Sequence, residues 1–241
     1  MEPVIKIEDM RFCYREGRYV LDGVDLSVAK GESVGIIGCN GAGKSTFLKI
    51  LVGLLPDYEG SIRIAGCLLE KRNYNEIRRS LGYVFQDSDS QLFMNTVQED
   101  VAFGPMNYGF SEEEAREAAV KALRRTHIAD LAGRHVYRLS GGEKKLVAIA
   151  GILALQQEEE GIILMDEPSM GLSPIFVNEI FDIIKEVSAG GTTVLLVEQN
   201  AKKALSISNR AYVLETGKIV LEGKANDLLN NDSIKKAYLG E

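Results

Sequence analysis

The chain has 241 residues, 45% of them hydrophobic, enough to bury a full core as one domain with an inserted subdomain. Its formal net charge of −7 excludes a general basic surface for nucleic acid. No apolar run approaches the ~20 residues that cross a bilayer, and the opening Met1-Glu2-Pro3 lacks the basic and apolar pattern of a secretion signal. Direct membrane insertion is therefore not expected, and any service to a membrane runs through a partner. Cys13, Cys39 and Cys67 have neither paired nor metal-like spacing, which fits a reducing compartment. His127 and His135 lie in a polar stretch and do not suggest zinc.

The first informative element is Ser33-Val34-Gly35-Ile36-Ile37, a short apolar run read as a buried strand. It leads into Gly38-Cys39-Asn40-Gly41-Ala42-Gly43-Lys44-Ser45, two glycines separated by four residues and followed by Lys-Ser. Phe47, Leu48, Leu51 and Val52 then recur at helical spacing. Strand, glycine-rich turn and helix form the context a phosphate-binding loop requires. Glycines let the backbone approach a phosphate, and the helix N-terminus adds partial positive charge. Lys44 is placed to bridge β- and γ-phosphates, and the Ser45 hydroxyl to hold Mg²⁺. The bland alternative is a structural glycine turn before a helix.

Leu81-Gly82-Tyr83-Val84-Phe85-Gln86 reads as a strand ending in a glutamine. Ser111-Glu112-Glu113-Glu114 is a capping box, with Ala115, Ala118, Ala119 and Ala122 following on a helix. Ser140-Gly141-Gly142 is a second glycine-rich turn, suited to an anion at a helix start. The helix over residues 143–155 buries Leu146, Ile149, Ala150 and Leu153. Residues 156–160 are polar and acidic, most simply a solvated loop. Ile162-Ile163-Leu164-Met165-Asp166-Glu167 is an apolar strand ending in two acids. That places carboxylates at the edge where open α/β sheets bind ligands. Asp166 would support a Mg²⁺ shell, and Glu167 would orient and polarise an attacking water. Residues 192–197 form another buried strand, residues 212–221 a hairpin turning at Thr216-Gly217, and residues 226–239 short amphipathic helices.

Leu139-Ser140-Gly141-Gly142-Glu143 resembles the signature motif of ATP-binding-cassette ATPases. Its place between the phosphate loop and the Asp166-Glu167 strand extends the resemblance over nearly the whole chain. A phosphate-loop kinase would not explain it, and the zinc hooks, long coiled coils or basic faces of DNA-repair cassettes are not visible. The resemblance implies an α/β fold of the P-loop NTPase class: a RecA-like core sheet, an antiparallel β-subdomain and an inserted helical subdomain. Residues 1–86 and 156–241 would form the β-subdomain and core, and residues 87–155 the helical subdomain with the signature.

The same resemblance implies ATP and Mg²⁺ as ligands. Tyr14 matches the aromatic that stacks on adenine. With Gly38, Asn40, Gly41, Ala42, Gly43, Lys44, Ser45 and Thr46 it would form one half of a nucleotide site. Ser140, Gly141 and Gly142 of a second subunit would close it over the γ-phosphate, in a homo- or heterodimer of ATPase subunits packed head to tail. Ser45, Gln86 and Asp166 would surround the metal. Glu167, Lys44, Gln86 and Gln199 would carry catalysis. Two positions depart from the family pattern. Gln199 stands where a histidine usually meets the γ-phosphate, and its amide can donate a hydrogen bond but cannot take up a proton. Ser173 stands where an aspartate usually couples the two sites. Both would favour a rival reading as a nucleotide-binding switch with little turnover.

Two importer groups are represented. The stretch from Gln86 to Phe93, then Thr96 to Pro105, is similar to cobalt, nickel and energy-coupling-factor vitamin importers, as are Glu143-Lys144-Lys145-Leu146 and Ala148-Ile149-Ala150-Gly151. The run from Met165 to Pro174, Leu196-Val197-Glu198-Gln199-Asn200-Ala201 and Tyr212-Val213-Leu214-Glu215-Thr216-Gly217 resemble branched-chain amino-acid importers. The change falls near residues 155–165, as in a recombined, designed or natural mosaic chain. The helical subdomain and the segment after Gln86 grip the transmembrane permease in this family, so the metal and vitamin reading leads. The resemblance places the protein in the cytoplasm, peripheral to the inner face of the cell membrane.

Overall fold

The computed structural model describes residues 3–15, 17–156 and 161–239. Strands β1 (Ile5–Phe12) and β2 (Leu21–Val28) pair antiparallel before the chain enters β3 (Ser33–Ile37) and helix α1 (Lys44–Leu51). β4 (Glu59–Ile64) and β5 (Cys67–Leu68) return to the first sheet, whose order is β2-β1-β4-β5. Helix α2 (Tyr74–Ser80) leads into β6 (Leu81–Val84). Three helices follow: α3 (Val97–Asn107), α4 (Glu112–Arg125) and α5 (Gly141–Leu155). The chain then alternates through β7 (Ile162–Asp166), α6 (Pro174–Ala189), β8 (Thr193–Glu198), α7 (Ala201–Ile207) and β9 (Arg210–Glu215). β10 (Lys218–Lys224) closes a hairpin with β9. Its turn residues Thr216 and Gly217 both have positive φ, 48° and 82°, the geometry that matches strand twist in a two-residue loop.

The second sheet has the order β10-β9-β3-β8-β7-β6 and is parallel from β9 to β6. Every residue of β3, β7 and β8 is buried. A parallel sheet covered on both faces needs such continuous apolar runs. Alternate side chains then serve opposite cores. Val34, Ile36, Ile162, Leu164, Leu195 and Val197 pack with α1 and the first sheet. Ile37, Ile163, Met165, Val194 and Leu196 pack with the helical layer that includes α3, α4 and α5. Because β3, β6, β7 and β8 run the same way, their carboxyl ends share one edge. The phosphate loop, Gln86 and Gln199 follow those ends, and Asp166 is the last residue of β7.

α3, α4 and α5 each begin with a capping box, built by Thr96 and Glu99, Ser111 and Glu114, and Ser140 and Glu143. Ala115, Ala118, Ala119 and Ala122 turn inward on α4, as their spacing predicts. α5 starts at Gly141, earlier than its apolar spacing suggests, because the Ser140 box recruits both glycines into the first turn. α5 is apolar on almost every side and lies against β6. A Cβ on Gly82 would stand 2.0 Å from Ile152 Cγ2, so only glycine lets the helix approach this strand.

Gln156 corrects the expectation of a solvated loop. It is buried, and its Nε2 donates to Ser80 O at 3.1 Å and Ile162 O at 2.9 Å. Its amide stitches the end of α2 to the start of β7. The remainder of that expected loop, residues 157–160, lies outside the described residues.

Candidate active site

The site is built on the carboxyl edge of the second sheet. Gly43 caps α1 at φ 104°, a left-handed conformation that glycine adopts without strain. No side chain caps α1, so its first-turn N–H groups keep their capacity for an anion. Lys44 is only 4% exposed, and its Nζ donates to Gly38 O at 2.9 Å and Cys39 O at 3.2 Å. The same ammonium pairs with Glu167 Oε1 at 3.2 Å. Next to it, the Ser45 hydroxyl donates to Asp166 Oδ1 at 2.9 Å.

Glu167 follows β7 with φ 45°, uncommon for a residue with a Cβ. Its N–H donates to Val197 O at 2.9 Å and its carbonyl accepts from Met170 N at 3.0 Å. Strain of this kind persists where surrounding structure enforces it, often at reactive sites. Here the turn delivers the carboxylate to Lys44. Gln86 Nε2 lies against Met170 Sδ at 2.6 Å and reaches Glu167 Oε2 at 3.5 Å, longer than an ordinary hydrogen bond. A cavity of about 380 Å³ opens between Val20, Asn40, Gly41, Lys44, Gln86 and Met170, with Gly43, Ser45, Thr46 and Glu167 completing its wall. Ala42 is buried beneath the loop, where its carbonyl accepts from Gly217 N at 3.0 Å.

Tyr14 lies past β1 and is 58% exposed. Its hydroxyl is 3.1 Å from Thr46 Oγ1, and Phe12 meets its ring edge-on at 4.9 Å. The ring is thus tethered beside the phosphate loop with area left for a planar ligand.

The structure does not bring Ser140–Gly142 to this cavity. Among the described residues lining it, none comes from that turn. The Ser140 hydroxyl is engaged at home, donating to Glu143 Oε2 at 2.8 Å, while Glu143 N donates back at 3.3 Å. Burial pushes the Glu143 carboxyl up, but the Ser140 N–H, the Ser140 hydroxyl and Arg134 outweigh it and hold the group below its ordinary range. The Ser140 side chain caps Glu143 N, so the first-turn amides of Gly141 and Gly142 keep their capacity to donate.

The family described as "ABC transporter" matches residues 21–170. The chain belongs to the ABC transporter family. The cassette is 36% identical to the energy-coupling factor transporter ATP-binding protein EcfA of Methanocaldococcus jannaschii, across 98% of this chain and 85% of that protein. Among solved structures, cbiO1 from Clostridium perfringens, part of the ABC transporter complex cbiONQ, matches with a TM-score of 0.87 at 31% identity. That match covers 98% of this chain and 94% of the other. The cassette MJ0796, solved as a dimer in a post-hydrolysis state bound to ADP and Pi, matches with a TM-score of 0.78 at 29% identity. It covers 92% of this chain and 98% of the other. The chain is accordingly an ATP-hydrolysing cassette with the P-loop NTPase fold.

Three further polar residues shape the cassette's site; each lies inside a run quoted from the sequence, but none is given a role there. The Tyr83 hydroxyl donates to Asp166 Oδ2 at 3.0 Å; burial and the Asp166 charge push its pKa well up. Glu198, 2% exposed, accepts from Ser169 N at 2.9 Å and Asn200 N at 3.2 Å. Burial pushes its carboxyl up, against those N–H groups. Lys145 reaches the main chain beyond β6. Gln199 is exposed and lines a second cavity of about 340 Å³ with Ser169, Gly171, Glu198 and Asn200. Glu167 and Met170 line both cavities, so Gln199 and the phosphate loop border Glu167 through different spaces. Among the described residues, no helix is long and apolar enough to cross a membrane.

Proposed function

We propose that this cassette powers a membrane importer of the cobalt, nickel or energy-coupling-factor vitamin type, through ATP-driven closure of two ATPase subunits. The observation that carries this reading is the separation of the two half-sites within one protomer. Lys44, Ser45 and Glu167 line one cavity, with Asp166 hydrogen-bonded to Ser45, and that lining lacks Ser140–Gly142. A second subunit, identical or related, supplies the missing cap by presenting its Gly141 and Gly142 amides to the γ-phosphate. The whole-length similarity to EcfA and cbiO1 supports the importer type. The permease would seat on the helical segment, where Phe93 and Met106 are exposed, and hold the cassette at the cytoplasmic face of the membrane.

The oxygens of Ser45 and Asp166, 2.9 Å apart with the Gln86 amide nearby, are the hard donors that suit Mg²⁺. Bound there, the cation would offset charge on the phosphates. Lys44 holds the β- and γ-phosphate oxygens. Glu167 takes the proton of a water aligned with the γ-phosphorus, and Gln86 steadies that carboxylate. Gln199 donates a hydrogen bond without exchanging a proton.

The test is oligomeric state. With ATP, Glu167→Gln chains sediment as pairs. Adding Gly141→Asp keeps them single, because the new carboxylate repels the triphosphate. That substitution suits the fold, since Gly141 is exposed and a Cβ there meets Leu172 at only 3.5 Å. Pairs that survive Gly141→Asp, or single chains at high concentration without it, would refute the shared site. Co-purification with the transmembrane component identifies the importer class.

Tyr14 offers an independent check. Replacing it with alanine removes a base platform worth about 1–3 kcal/mol. ATP and ADP affinities should fall together by roughly tenfold, because both carry the base. Calorimetry showing a loss confined to ATP would place Tyr14 at the phosphates instead.

A further inference from the structure

Lys145 sits in the helix that begins at the Gly141-Gly142 cap, yet it belongs to neither cavity. It is 2% exposed. Its Nζ donates to Phe85 O and Gln86 O, each at 2.8 Å. Burying an ammonium is unfavourable, and an apolar side chain like those of its neighbours Leu146 and Val147 would fill the space without that cost. Burial lowers the lysine's pKa to about 8, opposed by the charges of Asp166, Asp87 and Glu198.

The two carbonyls it holds have special positions. β6 ends at Val84, whose last ladder partner is Met165, so Phe85 and Gln86 lie beyond the sheet's own hydrogen bonds. Side chains replace the ladder there. Gln91 spans the bend, accepting from Phe85 N and donating to Tyr83 O, both at 3.1 Å. Lys145 takes the carbonyls, and Lys144 on the same helix pairs with Asp89 farther along. The first turns of α5 thereby grip the segment from which Gln86 reaches Glu167.

We propose that Lys145 is a positioning residue for ATP hydrolysis, a strap that fixes the Phe85–Gln86 main chain so that the Gln86 amide stays on Glu167. A shift of the signature helix is then transmitted through one side chain to the catalytic carboxylate. The inference rests on the role assigned above to Gln86. The strap acts on the chemical step, since Lys145 lines no part of the nucleotide cavity.

The experiment is a double-mutant cycle on steady-state phosphate release by the full chain. Lys145→Met should lower kcat about tenfold with the KM for ATP changed less than about twofold. Gln86→Ala alone should lower kcat by a similar factor. Lys145→Met added to Gln86→Ala should cost nothing more, because the strap has no amide left to position. Lys145→Arg, which keeps a charged donor, should recover most of the rate. Losses that multiply in the double variant, a change in KM with kcat intact, or a full rate in Lys145→Met would overturn the strap while leaving Gln86's role standing. A full rate in Gln86→Ala would overturn both. If Lys145→Met does not fold, Lys145→Gln, with a shorter neutral donor, goes through the same cycle under the same criteria.

Discussion

Glu167→Gln should slow ATP hydrolysis about a hundredfold or more, the scale of a lost general base, while ATP binding survives. The expectation comes from the geometry of one buried pair. Glu167 is 6% exposed and its Oε1 lies 3.2 Å from Lys44 Nζ. A triphosphate entering the cavity competes for that ammonium and releases the carboxylate to accept a proton from water. Glutamine keeps the shape and the contact to Gln86 but has no basic oxygen. It also stops competing for Lys44, so ATP affinity should hold or rise. Calorimetric binding beside single-turnover phosphate release separates the two effects. Parent-level turnover in this variant would remove Glu167 from the role of base.

Lys44→Ala should abolish useful ATP binding. A charge-assisted hydrogen bond is worth about 1.5–3 kcal/mol, so its loss alone weakens binding roughly ten- to a hundredfold. The stranded Glu167 carboxylate then faces the phosphates and repels them, enlarging the deficit. ADP should suffer less than ATP, because the γ-phosphate contact is absent from it. The same change should lower Tm, since removing one partner of a buried pair costs about 3–5 kcal/mol and this pair borders an open cavity, which puts it at the low end. Lys44→Ala combined with Glu167→Gln should recover most of the lost Tm and none of the affinity. A double variant as unstable as the single would mean that Lys44 stabilises mainly through its bonds to Gly38 O and Cys39 O.

The contrast between Glu167 and Lys145 explains how much could be read in advance. Glu167 ends an apolar run, and the phosphate loop follows another. Each pattern is local: a strand's burial, a turn's glycines and a helix's first turn all lie within a short window. Lys145, Tyr83 and Glu198 carry no such window. Each looks like an ordinary polar position until α5, β6, β7 and β8 are packed. Gln156 misled for the same reason, since its polarity suggested solvent while its amide closes buried carbonyls. Ser140 was legible as a helix start, yet its hydroxyl's engagement with Glu143 follows from a capping box that reads the same way at Ser111.

The resemblance of Leu139–Glu143 to a signature motif supplied the family, and the spacing of apolar residues, glycines and acids set the strand–loop–helix cradle and the carboxylate-bearing strand. These depend on backbone preferences and periodic burial, which neighbouring residues dictate. Tertiary structure alone decided that Lys44 meets Glu167, that Tyr83 holds Asp166, that Lys145 grips the segment beyond β6, and that cap and cradle stand apart in one protomer. Those pairings join residues far apart in the chain, and only the packing of helices on the open, mostly parallel sheet brings them within hydrogen-bond range.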